Sequence, residues 1–434
     1  MQEDNSMVEK ILTDLENIIY YDDNLKQFDI IPILENDKNK SPVLYEEHNV
    51  GLEMWCVKYV YSYAHSCLLK IRKQLRRNLS QSDIEKTNRL LLGAVLLQPD
   101  VSTFWNMRRD LIEMNLLKMD KELLLTKLVL SYKSKSNEAF SHRRWIYKRM
   151  LKNISAINME DRQRLIEEEL LVAKMACEKI ANNYHSWTYK LWLIDNIADS
   201  TLKSVIIKKE YDSSLSWVLS NVSEHSGFHY RQRLLLLVHN HVALNDNFFK
   251  DYKRFALSYL HITNNSTESL LSYLLGGNDS KLNDHYLSLI LLLLFELFYT
   301  CYELNKSYPG HESVWYHRRF VIHNLMQTMY KFFNLEWVRN ITINDGELTK
   351  SENIIQRDRS SIILNNETQE NGEKYPKLFK GERRIVEDTF LFKLIMKTET
   401  DLINSGVFDT NLVQNNLAYR HEKWLRNIMK IEFC

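Results

Sequence analysis

With 434 residues and 51.9 kDa, the chain is long enough to bury a large core, and length alone allows two or three domains. It holds only 10 Gly and 5 Pro, against ordinary usage of about 7% and about 5%. That disfavours folds built on tight turns or phosphate-cradling glycines and favours a long helical repeat array. Lys+Arg 57 against Asp+Glu 56 leaves a formal charge of +1, which argues against a dedicated nucleic-acid binder, whose surface carries a basic excess.

Residues 1–50 read as an N-terminal helix and a linker. Apolar residues at Val8, Ile11, Leu12, Leu15, Ile18 and Ile19 have helical spacing and predict a helix over Val8–Tyr20. Pro32 and Pro42, around the polar Glu35–Lys40, predict the linker. Residues 51–335 read as an array of helical hairpins, beginning with helices over Trp55–Leu69, Asp83–Leu97 and Phe104–Leu117. From Lys121 to Asn324 helical patterns alternate with short polar joints, among them Lys133–Asn137, Ala181–Asn183, Glu224–Gly227 and Tyr308–His311. These joints supply the Ser, Asn and Gly that helix starts favour. The apolar run Leu289–Phe295 falls short of the roughly 20 residues a membrane span needs and reads as a core helix, so the chain is not expected to span a membrane. Residues 340–382 are rich in Asn, Glu, Lys and Ser without an apolar period, and read as a disordered insertion. Helical pattern resumes in 383–434, completing the array.

Conventional catalytic motifs are missing. Neither G-x-x-x-x-G-K-[ST] nor G-x-G-x-x-G occurs. Cys56, Cys67, Cys177, Cys301 and Cys434 are scattered, odd in number and form no C-x-x-C, which fits a reducing compartment and gives no zinc site from this chain. Met1–Ser6 is acidic and no apolar signal core follows, so the expected location is cytoplasmic.

What does recur is a phrase: an aromatic residue followed three and four positions later by basic residues. Its clearest copy is Phe140–Trp145, with Arg143 and Arg144. It returns at Trp105 (Arg108, Arg109), Trp187 (Lys190), Phe228 (Arg231) and Trp315 (Arg318, Arg319), and weakly at Tyr419. Successive anchors lie 35, 47, 41, 87 and 104 residues apart, and the first three steps match hairpin arrays with periods of about 34–47. The step of 87 implies a decayed or expanded copy within Asn245–Asn305. Seven residues after the anchors stand Ile112, Tyr147, Ile194, Leu235 and Ile322, on the same helix face as the anchor. Anchor and i+7 residue should therefore face the core between hairpins, with the basic pair flanking that seam as structural cement.

The aromatic-x-x-Arg-Arg phrase resembles the repeat of protein prenyltransferase alpha subunits, most closely at Tyr308–Arg319 and Asn183–Trp187. Ser41-Pro-Val43 leading into Gly51–Lys58, and Glu224–Gln232, point to one branch of that family. The resemblance covers roughly residues 30–335 and the last helix, and departs from the pattern at Phe140, Phe228, Leu191, Gln232 and Glu422-Lys423.

The resemblance implies an all-α fold, a right-handed alpha-alpha superhelix forming a crescent of hairpins around a catalytic beta subunit like that of Rab geranylgeranyltransferase. Zinc and isoprenoid diphosphate would sit on that partner, with no cofactor bound by this chain. The heterodimer would transfer geranylgeranyl, or farnesyl, to cysteine thiols of proteins, with F-box or SNARE-type proteins among the substrates of this branch. Family placement puts Lys135, five residues before Phe140, and Tyr184 and His185, ahead of Trp187, beside the diphosphate. The family's second Tyr is replaced here by Asn137. The alternative is a non-catalytic scaffold of the tetratricopeptide type binding a protein partner.

Overall fold

The computed structural model describes residues 2–35, 41–72, 80–151, 158–243, 246–260, 267–276, 283–333, 384–407, 411–429 and 431. The insertion read at 340–382 lies outside the described residues. Two compact units form, Met1–Trp217 with Glu224–Leu234 and Val218–Ser223 with Leu235–Cys434.

In the first unit the amphipathic stretch near the N-terminus is helix α1 (Gln2–Tyr21), which buries Val8, Ile11, Leu12, Leu15 and Ile19. It packs on α2 (Met54–Ile71) and α3 (Gln81–Leu97). The approach is close because α3 carries Gly93 at the crossing: a Cβ there would lie 2.3 Å from Leu12 Cδ2.

The segment that reads as a linker holds a small sheet instead. Strands β1 (Gln27–Ile31), β2 (Val43–Glu46) and β3 (Asn49–Glu53) lie in the order β1-β3-β2. β3 is parallel to β1, with Phe28 opposite Val50, and antiparallel to β2, with Val43 opposite Leu52. Strands of four or five residues give little alternating signal, which is why the sequence pattern hides them. Glu47 and His48 make the β2–β3 turn with φ of 46° and 68°. Asp22 holds that turn from outside: its Oδ2 accepts the Tyr45 hydroxyl at 2.9 Å and pairs with His48 Nδ1 at 2.8 Å.

The hairpins follow. They are built from α4 (Ser102–Glu113), α5 (Met119–Tyr132), α6 (Asn137–Leu151), α7 (Met159–Lys179), α8 (Tyr184–Asp195), α9 (Ser200–Ser220) and α10 (His225–His241). β1 packs on α5, where the Phe28 amide donates to Ser131 Oγ at 2.9 Å. Leu97 ends α3 just ahead of Pro99, a residue that cannot continue a helix.

In the second unit the interval between the Phe228 and Trp315 copies is filled by α11 (Asn247–Tyr259), α12 (Thr267–Leu275) and α13 (Asn283–Phe295). α13 continues through a π-helical turn, Glu296–Cys301, into α14 (Tyr302–Ser307), followed by α15 (Glu312–Phe332), α16 (Phe390–Val407) and α17 (Leu412–Asn427). The stretch Tyr286–Ser307 is long and apolar enough to cross a membrane, yet most of its apolar part is buried inside the protein. Leu287, Ile290, Leu291, Leu292 and Leu293 are fully enclosed, so it serves as a core helix. Tyr259 of α11 stacks on Phe298 at 4.3 Å across it. Gly310, before α15, has φ of 89° and its amide donates to Gln414 Oε1 at 2.7 Å.

Candidate functional site

The anchors are core residues. Trp105, Phe140, Trp187, Phe228 and Trp315 are buried, as are the i+7 residues Ile112, Tyr147, Ile194, Leu235 and Ile322. Tyr419 departs from the pattern: it is 62% exposed, and Ala418 and His421 pack against Trp315 in its place.

The two basic residues of each phrase do different things. The first is buried and pairs with a carboxylate or carbonyl of a neighbouring helix. Arg108 binds Glu122 through Nε at 2.8 Å and through Nη2. Arg143 takes both oxygens of Glu169 at 2.6 Å each. Lys190 reaches Glu210 at 2.6 Å. Arg231 donates to the Tyr211 carbonyl at 2.8 Å and lies over the Tyr211 ring at 4.3 Å. Arg318 holds Glu399, with Nε at 3.1 and 3.0 Å from its two oxygens.

Each of these carboxylates also binds the residue two positions after an anchor. Glu122 takes His142 Nε2 at 3.1 Å, Glu169 the Tyr189 hydroxyl at 2.5 Å, and Glu210 the Tyr230 hydroxyl at 2.6 Å, every pair 20 residues apart in sequence. The same link joins Glu296 to His317 at 2.8 Å with a separation of 21 residues, and Glu399 to His421 at 2.7 Å with a separation of 22. The π-turn beginning at Glu296 absorbs the extra residue, since an i→i+5 turn carries one residue more than an α turn. The rings interlock in parallel: Trp105 meets His142 at 4.8 Å, Phe140 meets Tyr189 at 5.2 Å, Trp187 meets Tyr230 at 4.9 Å and Trp315 meets His421 at 5.2 Å.

Burial shapes the protonation of these seams. It would by itself raise the Glu122 and Glu399 carboxyls. Arg108 with His142, and Arg318 with His421, outweigh it and hold each carboxyl at about 2. Burial also lowers the His142 and His421 imidazoles despite their carboxylate partners. Both rings are therefore neutral donors at pH 7.

The second basic residue stacks on rings instead. Arg109 stands 5.7 Å from the Trp145 centroid, Arg144 5.4 Å from that of Tyr189, and Arg319 5.3 Å from that of Tyr316.

Joints between helices form a hydrogen-bonded edge in the first unit. Ser136 Oγ accepts the Ala139 amide at 3.3 Å, capping α6, and donates to Asp100 Oδ1 at 3.1 Å. Asn183 caps α8 and donates through Nδ2 to the Ser134 carbonyl at 2.7 Å. Glu224, ahead of α10, accepts the Asn182 amide at 3.0 Å and the indole N–H groups of Trp187 at 3.1 Å and Trp217 at 2.6 Å.

Lys135, Tyr184 and His185 stand on this edge. Lys135 is exposed in the joint before α6, and Tyr184, 49% exposed, opens α8. The Tyr184 and His185 rings meet edge-on at 5.6 Å. The His185 imidazole is lowered first by burial and then by the charges of Arg144 and Lys135, with Asp100 opposing. The three expected residues thus share one neighbourhood, and Arg144 joins them. Among the described residues no group of three or more His, Cys, Asp or Glu could hold a metal ion. The edge offers an ammonium, a phenol and a neutral imidazole, a set suited to donating to an anion.

Sequence reasoning missed the shared glutamates and the place of Arg144 beside His185. A signal for the former existed, since Glu122, Glu169 and Glu210 each precede an anchor by 18 residues.

A family model described as the protein prenyltransferase alpha subunit repeat matches residues 119–150, 166–197 and 295–325. The first two segments each run from a glutamate-bearing helix through the anchor helix that follows. The chain is 27% identical over 443 residues to protein prenyltransferase alpha subunit repeat-containing protein 1 of Danio rerio, covering 99% of this chain and 98% of that one. To the protein of the same name from Homo sapiens it is 30% identical over 328 residues, 73% of this chain and 77% of the relative. The geranylgeranyl transferase type-2 subunit alpha of Saccharomyces cerevisiae is 26% identical over 208 residues, 47% of this chain and 59% of the relative.

Proposed function

We propose, from the premise that the chain belongs to the protein prenyltransferase alpha subunit repeat-containing protein family, that it is the alpha-type subunit of a heterodimeric protein geranylgeranyltransferase. Its partner is a beta subunit like that of Rab geranylgeranyltransferase, in the cytoplasm, and its substrates are cysteine-bearing proteins. A zinc ion held by the beta subunit would supply the acceptor cysteine as a thiolate. The C–S bond forms at C1 of the isoprenoid as the C–O bond breaks, and the diphosphate leaves with the bonding electrons.

The role of this chain is at that leaving group. Lys135 and Tyr184 donate to the diphosphate oxygens as charge gathers on them, an interaction strengthened in the transition state. His185, held neutral beside two cations, orients a further N–H. The observation that supports this reading is the convergence of Lys135, Tyr184 and His185 on one edge, with the Lys135 and Arg144 charges both acting on the His185 imidazole.

The test is co-expression with the Rab-type beta subunit, followed by assay of geranylgeranyl transfer to cysteine-bearing proteins. A stable heterodimer with transfer is expected. Absence of both association and transfer removes the reading.

A further inference from the structure

Arg144 and Lys148 lie one helical turn apart on α6, and each covers a ring of α8. Arg144 is 5.4 Å from the Tyr189 centroid and Lys148 5.9 Å from that of Trp192. Those two rings stack on each other at 5.7 Å and 19°, so a cationic strip rests on a rigid aromatic floor. The pattern is repeated one seam earlier, where Arg109 at 5.7 Å and Arg149 at 5.0 Å flank the Trp145 ring.

The strip differs from the seam cations in what it lacks. Among the described residues, neither Arg144 nor Lys148 has a carboxylate within ion-pair distance. Glu169, which accepts the Tyr189 hydroxyl, is bound through both oxygens by Arg143. Arg149 is engaged with Glu113 at 3.5 Å. Arg144 is half-buried, and burial lowers its pKa with only the tyrosines Tyr189 and Tyr184 opposing. A guanidinium partly stripped of water without an anion carries a standing desolvation cost that a carboxylate would offset.

We propose that the Arg144–Lys148 strip is a docking surface for an acidic stretch of a partner polypeptide. The charge is complementary. The cations are held in place by their rings, so little side-chain freedom is lost on binding. Arg beside Tyr and Trp is the composition of interface hot spots. Spacing also fits, because side chains one helical turn apart are separated by about 5–6 Å, close to the spacing of alternate carboxylates along an extended chain, about 6.6–6.8 Å. Nucleic acid fits less well, since the chain as a whole has a formal charge of only +1. The proposal does not depend on the transferase reading.

The experiment uses the full chain and a fluorescent poly-glutamate 12-mer, read by anisotropy at low and at physiological salt. Saturable binding that weakens steeply with salt is expected. The Arg144→Gln/Lys148→Gln double variant should bind at least about tenfold more weakly, with unchanged circular dichroism and melting temperature. Arg164→Gln, a surface cation with its own partner in Asp161, serves as the control and should bind like the parent. No binding at low salt, or equal binding by the double variant, overturns the proposal. Tighter binding of a single-stranded oligonucleotide through the same two residues overturns the polypeptide assignment.

Discussion

Arg143 donates through Nε and Nη2 to both oxygens of Glu169, each at 2.6 Å, and the same carboxylate accepts the Tyr189 hydroxyl at 2.5 Å. One acid thus fastens a cation from α6 and a phenol from α8. Glu169→Ala should destabilise the first unit by about 3–5 kcal/mol, because it leaves the Arg143 charge buried and unpaired. Replacing the pair together, Arg143→Met with Glu169→Leu, should cost much less. Urea unfolding of the single and double variants checks this, and equal losses would contradict it.

Gly93 forms a mid-helix contact in which size matters more than helix propensity. Alanine favours a helix interior over glycine by about 0.8–1.0 kcal/mol. A Cβ at this position would nonetheless meet Leu12 Cδ2 at 2.3 Å, an overpacking that costs about 1–3 kcal/mol. Gly93→Ala should therefore lower the melting temperature. Adding Leu12→Ala should fail to lower it further by the full cost of that truncation, since the two changes relieve each other. Thermal melts of the three variants decide the matter.

Acid should loosen the seams in two stages. The ordinary histidine value is 6.5, and burial lowers His142 and His421 below it in the folded chain. The unfolded chain therefore binds protons first, and stability falls as pH drops below 6.5. Glu122 and Glu399 are held at about 2 against an ordinary 4.5. Their contribution is complete above 4.5 and is lost as pH falls from there toward 2. Melting temperature against pH should show a shallow decline between 7 and 5 and a steep one below 4.5. His142→Gln should lessen the first, with His421 supplying the remainder, and leave the Glu399 part of the second in place.

If the edge beside α6 and α8 serves the leaving diphosphate, Lys135→Ala should reduce kcat of the heterodimer on the order of 10²-fold, the usual effect of removing one preorganised donor. Tyr184→Phe should act in the same direction, with KM for the protein substrate unchanged for both. Single-turnover transfer measures it. A change confined to KM would place both residues in binding alone.

The hairpins were legible because their signals are local. Trp105, Arg108 and Ile112 sit within two turns of one helix, where a 3.6-residue period is written directly into the chain. The carboxylates were hidden because their significance lies between helices: Glu122 pairs with His142 only once α5 and α6 lie side by side. The strands at Gln27–Ile31 and Val43–Glu53 were hidden for another reason, namely that four or five residues are too few for alternation to stand out. Arg144 and Arg143 are adjacent in sequence and look equivalent, yet a step of about 100° around the helix turns one into the seam and the other over the Tyr189 ring.

The sharing of each glutamate bears on how such an array can grow or shrink. A deletion that removes an anchor helix without a glutamate helix would leave the acid before it without its ring partner and the acid after it without its cation. A segment running from one glutamate to just before the next transfers cleanly, since the incoming acid inherits the cation behind it and supplies the anchor helix ahead. Lineages that lengthen or shorten this fold should therefore gain or lose a glutamate helix and an anchor helix together, and not single helices.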